Sequence, residues 1–208
     1  MTATFINSFI LFFVTIDTIG NLPFFLSLTE GAKIKKRNQI AIKSIIIAFF
    51  IMITFAYLGR YLLEAIQVSL DSLKIAGGVI LMLLAIDILF EKRKIRREKR
   101  VEEALDEKNF EEITVFPIAF PFIAGPSALT TIILLIGNYT NFPEFQIPVI
   151  LALIAALVVS LVLMVGANFI IKYIPQQILH ATARVMAFIL AALATQFIID
   201  GIKASFNI

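Results

Sequence analysis

Cysteine is absent from this 208-residue chain, and histidine occurs once, at His180. Without cysteine there is no disulfide, no thiol redox chemistry, no thiolate metal site and no iron–sulfur cluster. A lone histidine excludes a multi-histidine metal site within one protomer, and its place between apolar runs fits a solvated side chain. Charge is also scarce. Charged residues make up 16% of the chain, against about 25% in a soluble domain. No G-x-x-x-x-G-K-[ST] phosphate loop is present, so the chain carries no ATPase site of its own. No apolar run holds a His–carboxylate cluster, so neither an enzyme activity nor a cofactor is expected. The net charge of +3 does not suggest nucleic acid, because the basic residues sit in short connections between apolar runs.

What fills the chain instead is apolar sequence. Hydrophobic residues make up 60% of it, and the mean hydropathy is +0.94. Runs of about 20 apolar residues match the hydrocarbon thickness of a bilayer. Six such runs occur, at roughly 5–28, 40–63, 72–90, 114–137, 147–171 and 184–204. The first lacks basic residues ahead of it and is too long for a signal-peptide core, so it is expected to stay in the mature protein. The many phenylalanines are expected to face lipid or fill the core.

Orientation follows from where Lys and Arg fall. The connections after the first, third and fifth runs hold 15 of the 18 basic residues, leaving only Arg60, Lys74 and Lys203 for the other side. The odd connections are therefore expected in the cytoplasm and both termini outside. The longest connection, 91–112, is basic in its first half and acidic in its second. It reads as a charged linker or solvated helix with pairs such as Lys99 and Glu103, its basic half able to meet anionic headgroups.

Two runs are interrupted by similar inserts, Asp17-Thr18-Ile19-Gly20-Asn21-Leu22-Pro23 and Pro121-Phe122-Ile123-Ala124-Gly125-Pro126-Ser127. Glycine and proline weaken or break helices. Irregular backbone at membrane depth is tolerated only where protein or a cavity surrounds it. The halves also correspond. Gly20 matches Gly125, Gly59 matches Gly166, and Ile80-Leu81 matches Ile189-Leu190, at offsets of 105, 107 and 109. Three runs per half make the second copy enter from the opposite face. The fold expected is an all-α integral membrane protein with six transmembrane helices as an inverted 3+3 repeat. Helices 1 and 4 would be broken near the midplane. The chain forms a single membrane domain, with repeat 1 at roughly 5–90, the linker at 91–112 and repeat 2 at roughly 113–204. Paired interrupted spans in inverted halves point to a transporter binding site.

The candidate residues follow from the inserts. Asp17 places a carboxylate near mid-span, where a charge must face protein or water. Three roles are open to it: binding a substrate ammonium group, carrying a proton, or capping the N–H groups freed by the break. Thr18 and Asn21 add neutral hydrogen-bonding groups, Gly20 allows close backbone approach, and Pro23 follows. In the second insert, Pro126 suits the first turn of a restarting helix. That N-terminus, with Gly125, Ser127 and Thr130, offers N–H groups to a carboxylate. Asp17 on one side and this N-terminus on the other would suit a zwitterion. Asp87 and Gln196 occupy matching repeat positions, which suggests a shared place on a permeation path and makes Asp87 a second proton-coupling candidate; an interfacial Asp87 is equally open. Gly77-Gly78 reads as close helix packing. No metal site is expected.

At these residues the chain resembles the MarC family of bacterial and archaeal six-span membrane proteins. The resemblance rests on Ile16–Pro23 followed by Phe25-Leu26-Ser27-Leu28-Thr29, and on Ala124-Gly125-Pro126-Ser127-Ala128. Ala76-Gly77-Gly78, Gln196-Phe197 and Asp200-Gly201 add to it, so that it covers essentially the whole chain. The chain departs from the family pattern at Thr18, where proline is usual, at Ser127, where glycine is frequent, and at Ala187, where glycine is common. The resemblance implies a prokaryotic cytoplasmic (inner) membrane and small neutral amino acids such as glycine or alanine moved with the proton gradient. The expected partners are the bilayer, a small zwitterionic or polar solute, and protons. A passive channel or facilitator, an exporter of small polar solutes, and a non-transporting accessory protein remain open at this point, as does oligomeric state.

Overall fold

Proline and glycine punctuate this chain where its helices begin, end or bend. The computed structural model describes residues 1–90, 110–139, 142–167 and 176–206. Helix α1 spans Thr2–Ile16 and α2 spans Thr18–Leu28, with only Asp17 between them in the left-handed region at φ 52° and ψ 55°. The two continue as one 27-residue apolar run, Thr2–Leu28. Helix α3, Ile34–Ala65, has no glycine or proline before Gly59, and α4, Leu70–Leu89, opens on a Ser69 side chain that caps the Ser72 N–H at 3.0 Å. A short α5, Phe110–Ile113, leads into an irregular coil at Thr114–Ile123. Helix α6 runs Pro126–Asn138, α7 Pro143–Val165 and α8 Gln176–Phe206.

The Thr114–Ile123 segment is not a regular helix. Phe116 and Phe120 are extended, at φ −125° and −131°. Each precedes a proline, whose ring crowds the preceding residue out of the helical region. The chain then bends by 58° between Glu111–Ile123 and Pro126–Asn138. Among the described residues five helices are long and apolar enough to cross a membrane, and six spans result if this bent pair counts as one. The irregularity begins earlier than the insert at Pro121, because Pro117 disturbs the preceding turn as well. Helix ends also differ from the apolar runs. Helix α3 starts at Ile34 rather than near residue 40 and α8 at Gln176 rather than near 184, since hydropathy marks the apolar part of a helix and not its polar turns.

Packing divides into two cores. Helices α1, α2, α3, α6, α7 and the irregular segment share the larger one, centred on fully buried Phe12, Ile16, Phe25, Met52, Ile132 and Leu153. Helices α4 and α8 form the most extensive helix pair, burying Leu81, Ala85, Ala187, Leu190 and Ala194 against Val14 of α1. They run antiparallel. A methyl on Gly78 would meet the Ala194 carbonyl oxygen at 2.7 Å and the Ile198 nitrogen at 3.1 Å. One on Gly201 would meet the Asp71 carbonyl oxygen at 2.9 Å and the Ile75 nitrogen at 3.1 Å. Gly77 faces the other way, toward Thr130 and Leu134 of α6. The glycine pair thus serves close packing, as the sequence suggests, but toward two partners. On the outer faces large apolar side chains stay exposed, among them Phe50, Leu58, Leu62, Val158, Val162 and Phe188, a surface suited to lipid.

The linker 91–109, with its Lys99–Glu103 pair, lies outside the described residues, as does the side chain of His180.

Candidate functional site

Asp17 sets the geometry of the first interruption. With Asp17 left-handed, the Gly20 N–H turns to the Asp17 Oδ1 at 3.3 Å, and the Asn21 N–H reaches the Asp17 carbonyl at 3.0 Å. The capping role is therefore realised. It also explains Gly20, because a methyl there would collide with the Asp17 carboxylate. Diverting the Gly20 N–H leaves the Ile16 carbonyl, its usual acceptor four residues back, to another donor. The Asn21 side chain supplies it, through Nδ2 at 2.8 Å.

The second interruption has the same need. Pro126, four residues after Phe122, has no N–H to offer the Phe122 carbonyl. Asn21 Nδ2 donates there too, at 3.1 Å. One amide thus serves a carbonyl from each break. Its orientation follows, since turning the amide over would set its oxygen against two carbonyl oxygens.

A third element completes the junction. Ser160 of α7 donates to the Ala156 carbonyl at 2.8 Å, and Thr18 Oγ1 lies 2.7 Å from Ser160 Oγ. The Ser160 proton is committed to Ala156, so Thr18 is the donor of that second bond. A small cavity lies between these elements, bordered by Thr18, Asn21 and Ser160 together with Phe25, Phe122 and Met164, and its surface is almost entirely apolar. It is no larger than a water molecule. Asn21 Oδ1 is buried without a hydrogen-bond partner.

The structure brings Thr18 and Asn21 together with the segment leading to Gly125, and places Asp17 and Gly20 directly beside them. Pro23 is exposed on the opposite face of α2. Gly125 precedes α6, which starts at Pro126 without a side-chain cap. Ser127 and Thr130 are buried on α6 but do not line the cavity. Asp87 and Gln196 are not brought together. Gln196 sits level with Gly78 in the antiparallel pair, nine residues from Asp87, or about 13 Å along a helix. Gln196 is exposed and donates to Asp200 at 2.7 Å. Matching repeat positions lie on opposite sides of an antiparallel crossing, so equivalence does not mean proximity. Ser160 is the residue that sequence reasoning misses; its signal is a single hydroxyl in the apolar stretch Leu157–Leu161.

Apolar helices of membrane-spanning length, lipid-suited outer faces and a polar junction inside define a multi-pass integral membrane protein. The chain belongs to the MarC family: the model for MarC family integral membrane proteins matches residues 2–206. A UPF0056 membrane protein of Archaeoglobus fulgidus is 36% identical over 201 residues, covering 95% of this chain and 92% of that protein. The UPF0056 inner membrane protein YhgN of Escherichia coli K12 is 28% identical, covering 95% of each. A UPF0056 membrane protein of Buchnera aphidicola from Schizaphis graminum is 30% identical over 97% of each chain. No solved structure matches the chain.

Proposed function

We propose that this chain is a secondary transporter of small neutral amino acids of the glycine and alanine type, driven by the proton gradient across a prokaryotic cytoplasmic membrane. The observation that carries this reading is the Asn21 bridge, which joins two interrupted segments 101 residues apart beside a small cavity. Irregular backbone from two halves meeting at one buried place is the arrangement that transporters use to bind solute. The uncapped start of α6 offers N–H groups to a substrate carboxylate, and Asp17 offers a charge to an ammonium group or a proton. Asp87 remains the second proton-coupling candidate.

Alternating access asks for an inverted repeat, and two features of the packing support that reading. Under an exchange of the halves, the α1–α7 contact becomes the α6–α3 contact, and both are extensive. The α4–α8 pair maps onto itself, with Leu81 and Leu190, 109 residues apart, both fully buried at the crossing. In this reading the helices interrupted at Asp17 and Gly125 lie at mid-depth, the basic connections are cytoplasmic and both termini are outside.

The test is uptake of labelled glycine and alanine into proteoliposomes, with and without an imposed pH gradient. Gradient-dependent accumulation above equilibrium is expected. Uptake that only equilibrates, whatever the gradient, would replace the transporter with a facilitator. No uptake by folded protein would remove the amino-acid assignment.

A further inference from the structure

Helix α8 carries a seam on the side turned away from α4. Val185, Ile189, Ala192, Gln196, Ile199 and Lys203 follow one another at alternating steps of four and three residues, and all six are exposed. That is the a/d spacing of a helix packed along its length against another, the geometry most membrane helix pairs share. Ala187, Leu190, Ala194 and Gly201, which pack on α4, lie on the opposite side of α8. The α4 contact therefore leaves the seam whole.

Gln196 sets this seam apart from a face built for lipid. It is the tenth of the 20 residues of the apolar span Ala187–Phe206, and so stands at mid-span. One N–H of its amide is held by Asp200 Oδ1 at 2.7 Å. The second N–H and the Oε1 have no partner among the described residues. Hydrocarbon can hydrogen-bond neither, and a polar side chain at that depth belongs against protein or water. An amide carries both a donor and an acceptor, so it is complementary to its own copy. Two chains inserted the same way are related by a two-fold axis along the membrane normal, which sets the same residue on both sides of the axis. The spare N–H of each Gln196 then meets the spare oxygen of the other. A single polar residue at such a seam also fixes the register of the pair. We infer that α8 is the interface between two copies of this chain, packed in parallel along this seam with their Gln196 amides joined at the axis. Pairing of this kind is independent of solute transport.

Single cysteines in the cysteine-free chain report on the pairing in native membranes. Under mild oxidation Ile199→Cys should form a disulfide-linked dimer, and so should Ala192→Cys, one heptad away. Val158→Cys, exposed on α7, should not. Energy transfer between copies labelled at Lys36→Cys, followed in proteoliposomes as lipid is added, gives the dissociation constant. Gln196→Leu should raise that constant about tenfold, the loss expected when a mid-span amide pair is removed. Its unfolding temperature should stay at the native value, because the packing on α4 lies on the other side of α8. Equal linkage at Val158→Cys would mean chance collision and overturn the pairing. No linkage at either α8 position would overturn it too: Gln196→Cys open to a water-soluble maleimide would then put water against this face, and Gln196→Cys closed to it would put lipid there. Native affinity in Gln196→Leu would take the amide out of the contact and overturn the interface in this form.

Discussion

Asn21 and Phe122 are joined by a side-chain to main-chain bond of 3.1 Å across 101 residues of sequence, and the same Asn21 nitrogen bonds Ile16 at 2.8 Å. Each bond serves a main-chain carbonyl beside an interruption. Asn21→Leu replaces the amide with a side chain of similar size and removes both donors. Destabilisation of about 2–4 kcal/mol is expected from the two buried bonds, read as a lower unfolding temperature in detergent. A variant as stable as the native chain would mean the bridge does not hold the segments.

Asp17 has two jobs in this account, and one substitution separates them. An asparagine at this position would keep a side-chain oxygen for the Gly20 N–H and tolerates the left-handed backbone. Asp17→Asn should therefore lose less than about 1 kcal/mol of stability yet abolish gradient-driven accumulation of glycine. Asp17→Ala should lose the cap as well, at about 1 kcal/mol more. Accumulation that survives Asp17→Asn would move the proton-linked role to Asp87.

Gly77 and Gly78 should respond unequally to alanine. At Gly78 the new methyl meets the Ala194 carbonyl oxygen and the Ile198 main chain, which cannot yield without moving α8. Overpacking of that kind costs about 1–3 kcal/mol. At Gly77 it meets Thr130 Cγ2 and Leu134 Cδ1, which are side-chain atoms and not main chain. Comparing thermal unfolding of the two variants tests this. A larger loss at Gly77 would contradict the packing.

Absence of cysteine makes topology directly testable, because single cysteines enter a silent background. Lys36→Cys should react with impermeant maleimide only after permeabilisation, whereas Lys74→Cys and Lys203→Cys should react in intact cells. The reverse pattern would invert the orientation inferred from the basic residues.

Much of this architecture is legible in the linear chain. Apolar runs mark the candidate spans, because the bilayer imposes their length, and Pro121, Gly125 and Pro126 mark the bend before α6, whereas Gly20 lies inside α2, three residues past the turn at Asp17. The Asp17 cap is legible as one of the roles open to a carboxylate beside freed N–H groups. What the chain hides is pairing in space. Nothing local to Ser160 says that it faces Thr18, since helix rotation is set by packing partners. Nor does the match of Asp87 with Gln196 reveal their separation, which needs the direction in which α4 and α8 cross. The extended Phe116 is hidden for a different reason. Pro117 lies outside the glycine-rich insert, and its effect falls on the residue before it.

The adjacent glycines of α4 also divide the molecule mechanically. On the Gly78 side, α4 meets α8 backbone to backbone, and Gly201 repeats that contact a few turns away. Main-chain atoms stand beside both glycines, with the Ile198 and Ile75 side chains, so this contact has little room to shift. On the Gly77 side, the nearest atoms of α6 are side-chain ends from Thr130 and Leu134. Small sliding of packed helices takes place along boundaries of this kind. Of the two contacts of α4, the one with α6 around Thr130 and Leu134 is therefore the one built from side chains alone.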